Sequence, residues 1–179
     1  KQAVDNYKKG ENGKTAVMVG LALYMMAFDN ESGAEVYSGA TKKDQAKLSF
    51  DQAKAFINAS AALQAIGFRN YQSSIQFERN GNLGGIFKPL EKNADSQDGI
   101  NSHFSIIDEY HAHPTDALKE NLESSSAARL QPITYTITTA GTNLHGVCKN
   151  FEDSCINILE GVAEDDTFFI MIFDLDQDD

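Results

Sequence analysis

The chain has 179 residues, of which 41% are hydrophobic and 23% charged, and its formal net charge is −11. That length suits one domain with a substantial core, and the composition is that of a folded chain rather than a low-complexity one. The acidic balance argues against a stand-alone nucleic-acid binder of the basic-patch kind. The densest basic group, Lys42, Lys43 and Lys47, reads as a solvated helix start.

In chain order, residues 1–13 are polar and predict an irregular segment ending in a tight loop. The uncharged run from Thr15 to Phe28 predicts a buried helix; it is too short to span a bilayer and lacks the flanks of a signal peptide. Ala34 to Tyr37 reads as a short strand, and Asp44 opens a helix with Leu48, Ala53, Phe56, Ile57 and Ala61 at helical spacing. Two weaker strands, around Gln72 to Phe77 and Gly85 to Leu90, flank the turn signal Arg79-Asn80-Gly81-Asn82. A polar surface loop over Glu91 to Asn101 follows. Phe104 to Ile107 is the expected central strand, Thr115 to Leu122 a helix capped by Thr115, and Ile133 to Thr138 another strand. Gly146 to Leu159 reads as a helix and Thr167 to Phe173 as a last strand. Strands alternating with helices predict an α/β fold with a mainly parallel sheet and right-handed crossovers. Residues 1–173 form the expected domain and 174–179 a hydrated acidic linker. Cys148 and Cys155 lack metal-ligand spacing and read as reduced thiols of a cytosolic protein.

Three stretches carry chemistry. Asn12-Gly13-Lys14-Thr15, placed just before an apolar helix, has the form of the end of a phosphate-binding loop. Such a loop needs backbone N–H groups at a helix N-terminus, a lysine reaching the β- and γ-phosphates and a hydroxyl on the metal. Lys14 and Thr15 match the last two roles, although the pattern's earlier glycine position is occupied by Lys8, with Gly10 out of register. Ser105-Ile106-Ile107-Asp108-Glu109 is an apolar strand ending in two acids. A parallel strand buried on both faces puts such a pair where the sheet meets a ligand. Asp108 suits a magnesium-holding acid and Glu109 a residue that polarises the attacking water. Thr138-Thr139-Ala140-Gly141, at the end of the next strand, has the small hydroxyl residues that sense a γ-phosphate or the Asp108-Glu109 segment. His111 and His113 stand two apart with Asp116 near, but without the further ligands a zinc site needs they read as surface residues. Asp174, Asp176 and Asp178 begin like a calcium loop but have neither its central Gly nor its closing Glu. Together these parts read as an ATPase taking ATP and Mg²⁺.

Gly33-Ala34-Glu35-Val36-Tyr37-Ser38-Gly39-Ala40-Thr41-Lys42-Lys43-Asp44-Gln45-Ala46, then Asp108-Glu109-Tyr110-His111-Ala112-His113, then Thr136-Ile137-Thr138-Thr139-Ala140-Gly141, resemble the ATPase half of tailed-phage large terminase subunits. The resemblance covers most of the chain and implies a three-layer P-loop NTPase fold of the RecA/ASCE type. By motif, Gly13, Lys14 and Thr15 resemble the phosphate loop (Walker A), Asp108 and Glu109 the Walker B acids, and Thr138, Thr139 and Ala140 the coupling motif. It further implies a homo-oligomeric ring on the portal that packages double-stranded DNA into a procapsid, with the portal protein and small terminase subunit as partners. No membrane role is implied, and the site of action is the cytoplasm of the infected or lysogenic host. An arginine acting in trans is expected, with Arg79 and Arg129 as candidates. The family has a hydrophobic strand and an Arg at its phosphate loop, where this chain has polar residues from Lys1 to Tyr7 and then Lys8 and Lys9. The chain is therefore expected to begin inside the domain and to lead toward a nuclease domain that it does not contain. Asp108-Glu109-Tyr110-His111 also fits the DExH pattern of superfamily 2 helicases, the alternative reading. A nucleotide-binding scaffold that never hydrolyses is a second alternative, though binding alone does not require Glu109.

Overall fold

Fourteen residues without proline, rich in Ala, Leu and Met and charged only at Lys14, form helix α1, Lys14–Ala27. The computed structural model describes residues 13–41, 43–90, 99–139 and 141–173, without the side chains of residues 43–45. Met18, Val19, Ala22, Leu23, Met25 and Met26 of α1 face the sheet and are buried. Val17, Leu21, Tyr24 and Phe28, at helical spacing on the other side, are exposed, so the helix is buried along one stripe rather than all round.

The remaining elements are β1 (Ala34–Gly39), α2 (Lys43–Ala59), α3 (Ala61–Ile66), β2 (Phe68–Asn70), β3 (Ile75–Arg79), β4 (Asn82–Pro89), β5 (Phe104–Ile107), a 3₁₀ turn (Tyr110–Ala112), α4 (Ala117–Ser125), β6 (Ile133–Thr136) and α5 (Val147–Leu159). The six strands make one sheet in the order β2-β3-β4-β1-β5-β6. From β4 to β6 all pairings are parallel, while β2, β3 and β4 pair antiparallel. The expected hairpin turn is present: Asn80 and Gly81 have φ of 53° and 78°, the doubly left-handed geometry that matches strand twist.

Successive side chains of a strand point to opposite faces, and this alternation divides the core in two. Val36, Phe104 and Ile106 join α1, α2, Phe68 and Phe87 on one face. Tyr37 and Ile107 join Tyr110, Leu122 and Cys148 on the other. Helices thus cover both faces, giving the three layers expected. Phe50 meets Phe87 edge-on at 5.6 Å on the first face, and Tyr110 meets Phe151 the same way at 5.7 Å on the second.

Three local expectations are corrected. Residues 167–173 form no strand, and Phe169 and Phe173 are exposed. A strand needs a neighbour for its N–H and C=O groups, and among the described residues β6 pairs with β5 alone. Thr115 does not cap α4; Asp116 stands at the N-cap with no side-chain capping bond, its carboxylate accepting from the Tyr110 hydroxyl instead. His113 is not a surface residue: it is buried, tilted against the Tyr110 ring at 5.5 Å. The acidic residues 174–179 lie outside the described residues.

Candidate active site

Parallel strands β1, β5 and β6 all end at one rim of the sheet, where Asp108 and Glu109 follow β5 and Thr138 and Thr139 follow β6. At the end of β5, the Asp108 N–H donates to Gly39 O at 3.3 Å, tying the strand end to β1. On the other side, Ile137 N–H donates to Ile107 O at 2.9 Å and Tyr110 N–H to Ile137 O at 3.2 Å, which carries the pairing with β6 past its last ladder residue. The Asp108-Glu109 and Thr138-Thr139 segments are therefore held side by side by backbone bonds.

Gly13 precedes α1 in the left-handed conformation, φ 69°, and the first turn of the helix carries no acid. The N–H groups of a helix start have no intrahelical partners and concentrate positive potential. Lys14 and Thr15 are half-buried there. Burial raises the Asp108 carboxyl above its usual range, with the Glu109 charge adding to the rise; the Glu109 N–H and the charges of Lys14 and His113 oppose it. The influence of Lys14 on Asp108 joins the first turn of α1 to the end of β5, although 94 positions separate the two residues in sequence. Asp108 Oδ1 accepts from Glu109 N–H at 2.9 Å, and its carbonyl lies 3.3 Å from His113 Nε2. Burial pushes the His113 imidazole below its ordinary pKa.

Glu109 has φ 51° and ψ 50°. Asn30 and Asn80 share positive φ, but Asn tolerates that region and Glu does not. Backbone strain of about 1–3 kcal/mol is retained only where the surroundings impose it, commonly at functional sites. The Glu109 carboxylate lies 3.1 Å from His111 Nδ1. The same ring nitrogen lies 3.1 Å from Thr138 Oγ1 and 3.3 Å from Thr139 Oγ1. His111 N–H also donates to Thr138 Oγ1 at 2.9 Å. His111 is partly exposed, with 28% of its side chain accessible, and the sequence signal for its contacts is its position two residues after Glu109 in the DExH pattern. Ala140 lies outside the described residues, as do Lys8, Lys9, Gly10 and Asn12.

The candidate arginines lie elsewhere. The Arg129 side chain is 5% exposed, and its guanidinium donates to Glu31 and to the carbonyls of Ser32, Gly33 and Asn101. Those partners are near the start of β1 and before β5, at the opposite rim, so Arg129 is a structural clamp. Arg79, at the β3–β4 turn on that same rim, donates to Ala27 O at 2.6 Å.

A family model described as the terminase large subunit, ATPase domain, matches residues 6–156. The chain belongs to that family. This assignment selects the terminase over the helicase reading, and residues 13–15, 108–109 and 138–140 lie inside the match. Protein YmfN of Escherichia coli (strain K12) is 39% identical over 82 residues, 46% of this chain and 18% of that protein. The HK97 bacteriophage large terminase superposes with a TM-score of 0.70 at 21% identity, over 83% of this chain and 31% of that one. The large terminase ATPase domain of Thermus phage P74-26 gives 0.57 at 18% identity, over 73% of this chain and 57% of its own. The large terminase of a thermophilic bacteriophage, solved in complex with ADP, gives 0.53 at 12% identity, over 69% and 30%. At these identities the structures speak for the fold: the terminase P-loop ATPase domain. The chain spans under a third of the full-length relatives it matches.

Proposed function

We propose that this domain hydrolyses ATP to drive double-stranded viral DNA into a procapsid, as the motor part of a large terminase. In this reading it acts in the host cytoplasm, as a homo-oligomeric ring on the portal with the small terminase subunit. What supports it is the influence of Lys14, at the start of α1, on Asp108 at the end of β5, directly before Glu109.

Gly13, Lys14 and Thr15 bind the triphosphate: the α1 N-terminus faces the phosphate oxygens and the Lys14 ammonium neutralises charge that builds on the β–γ bridge. Magnesium takes hard oxygen ligands, usually one or two carboxylates besides the nucleotide's own phosphates. The Thr15 hydroxyl and the Asp108 carboxylate, which feels the Lys14 charge, make a donor set of that kind. Bound there, Mg²⁺ would supply charge neutralisation on the phosphates. Glu109 accepts a hydrogen bond from the attacking water and orients it toward the γ-phosphorus. Thr138, Thr139 and Ala140 couple the state of the site to the rest of the motor. An arginine from a neighbouring subunit completes the charge stabilisation, and Arg129 is not that residue because its five donors are already committed.

The test is ATP binding and hydrolysis by the intact protein. Glu109→Gln is expected to retain ATP binding while losing roughly two to four powers of ten in turnover, and Lys14→Ala to lose both. Normal hydrolysis by both variants would refute the site.

A further inference from the structure

His111 offers one ring nitrogen, Nδ1, to three oxygens: Glu109 Oε2 at 3.1 Å, Thr138 Oγ1 at 3.1 Å and Thr139 Oγ1 at 3.3 Å. Glu109 Oε2 stands at ion-pair distance from Nδ1, and the two threonine hydroxyls stand at hydrogen-bond geometry to the same atom; an ionised carboxylate only accepts, and an Nδ1–H serves one acceptor well at a time. The three contacts are therefore alternatives. The ring is seated closely: a Cβ on Gly141, which has φ +66°, would stand 2.7 Å from His111 Cβ. His111's own N–H holds Thr138 Oγ1, whose proton goes to Thr139 O at 2.8 Å. A shift of the Thr138-Thr139 segment must therefore move or re-pair the ring.

We propose that His111 is a positioning residue that exchanges its Nδ1–H between the Glu109 carboxylate and the Thr138 and Thr139 hydroxyls, so that the coupling segment sets whether Glu109 is restrained or released to orient water. This rests on the ATP-site reading above. With the N–H on Glu109, the carboxylate is held against the ring and one of its oxygens is occupied. With the N–H on a threonine hydroxyl, that oxygen is available to the water. The threonines thus act on hydrolysis through His111, with no contact to the nucleotide required.

The test is a double-mutant cycle in the intact protein, reading kcat and KM for ATP, with the melting temperature of each variant as a folding check. Thr139→Val removes an alternative acceptor at little change in volume. It is expected to lower kcat about tenfold with KM nearly unchanged, a coupling of roughly 1.4 kcal/mol. In a His111→Phe background, Thr139→Val is expected to change nothing further. His111→Asn, whose amide nitrogen can stand where Nδ1 does, is expected to recover sensitivity to Thr139→Val, and His111→Gln, whose amide reaches the Nε2 position, is not. Independent, multiplying effects of the His111 and Thr139 changes would overturn the proposal, as would equal rescue by Gln and Asn. The controls separate the two failures: if Lys14→Ala and Glu109→Gln hydrolyse ATP normally, the site reading itself falls. If both are inactive while His111 and Thr139 act independently, only the exchange falls.

Discussion

Arg129→Ala separates a structural arginine from a catalytic one. The guanidinium holds the loop between α1 and β1 to the segment before β5: its Nη1 donates to Glu31 Oε1 at 3.1 Å and to Ser32 O at 3.2 Å. Nη2 donates to Gly33 O at 3.0 Å, and both Nε and Nη2 donate to Asn101 O, at 3.0 and 2.7 Å. Glu35 adds a second ion pair at 3.8 Å. The side chains of Arg129 and Glu31 are 5% and 14% exposed, so removing the cation leaves a poorly solvated carboxylate and several carbonyls without their partner. Breaking a buried pair from one side costs about 3–5 kcal/mol, a large part of the roughly 5–15 kcal/mol of a typical domain. At roughly 2–4 °C per kcal/mol for a chain of this size, the melting temperature should fall by about 6–20 °C. Urea and thermal unfolding followed by circular dichroism measure this, with ATP hydrolysis assayed well below the transition. Lys in place of Arg should recover only a small part, since an ammonium cannot span two carboxylates and three carbonyls. A loss below about 1 kcal/mol, or full stability combined with abolished hydrolysis, would refute the clamp and return Arg129 to the list of catalytic candidates.

Two further predictions concern pH. Burial raises the Asp108 pKa in the fold, so as pH rises past 3.8 the unfolded chain releases its proton first and the fold loses stability until the folded carboxyl also ionises. Asp108→Asn, which keeps an acceptor for the Glu109 N–H, should therefore melt higher than the parent at neutral pH while losing Mg²⁺-dependent turnover. The stability gap should close at acid pH below 3.8; a gap that persists there would deny the electrostatic origin. His113 has the opposite sign of linkage. Its folded pKa is depressed by burial, so its contribution is complete above 6.5 and is lost as pH falls toward the folded value. His113→Gln, which retains a donor for the Asp108 carbonyl, should flatten that acid-side decline in urea midpoints, and an unchanged slope would place its cause elsewhere.

Local pattern alone determined most elements of this protein. The unbroken apolar run behind Lys14, the four-residue strand before Asp108 and the Asn80-Gly81 turn each carry their own periodicity or backbone demand, and each folds as read. That Asp108-Glu109 and Thr138-Thr139 share one rim was also legible, because neighbouring parallel strands must end on the same edge. What the sequence could not decide is what depends on a neighbour. The apolar residues 167–173 have strand chemistry but no strand beside them among the described residues, so propensity had nothing to pair with. Arg129 looked available to a neighbouring subunit until the fold brought Glu31, Ser32, Gly33 and Asn101 around it. His111 keeps part of its surface in solvent, but only the fold shows that the segment after β6 sets Thr138 and Thr139 against its ring. Periodicity reports a residue's own face, whereas hydrogen-bond partners distant along the chain exist only once the strands have chosen their order.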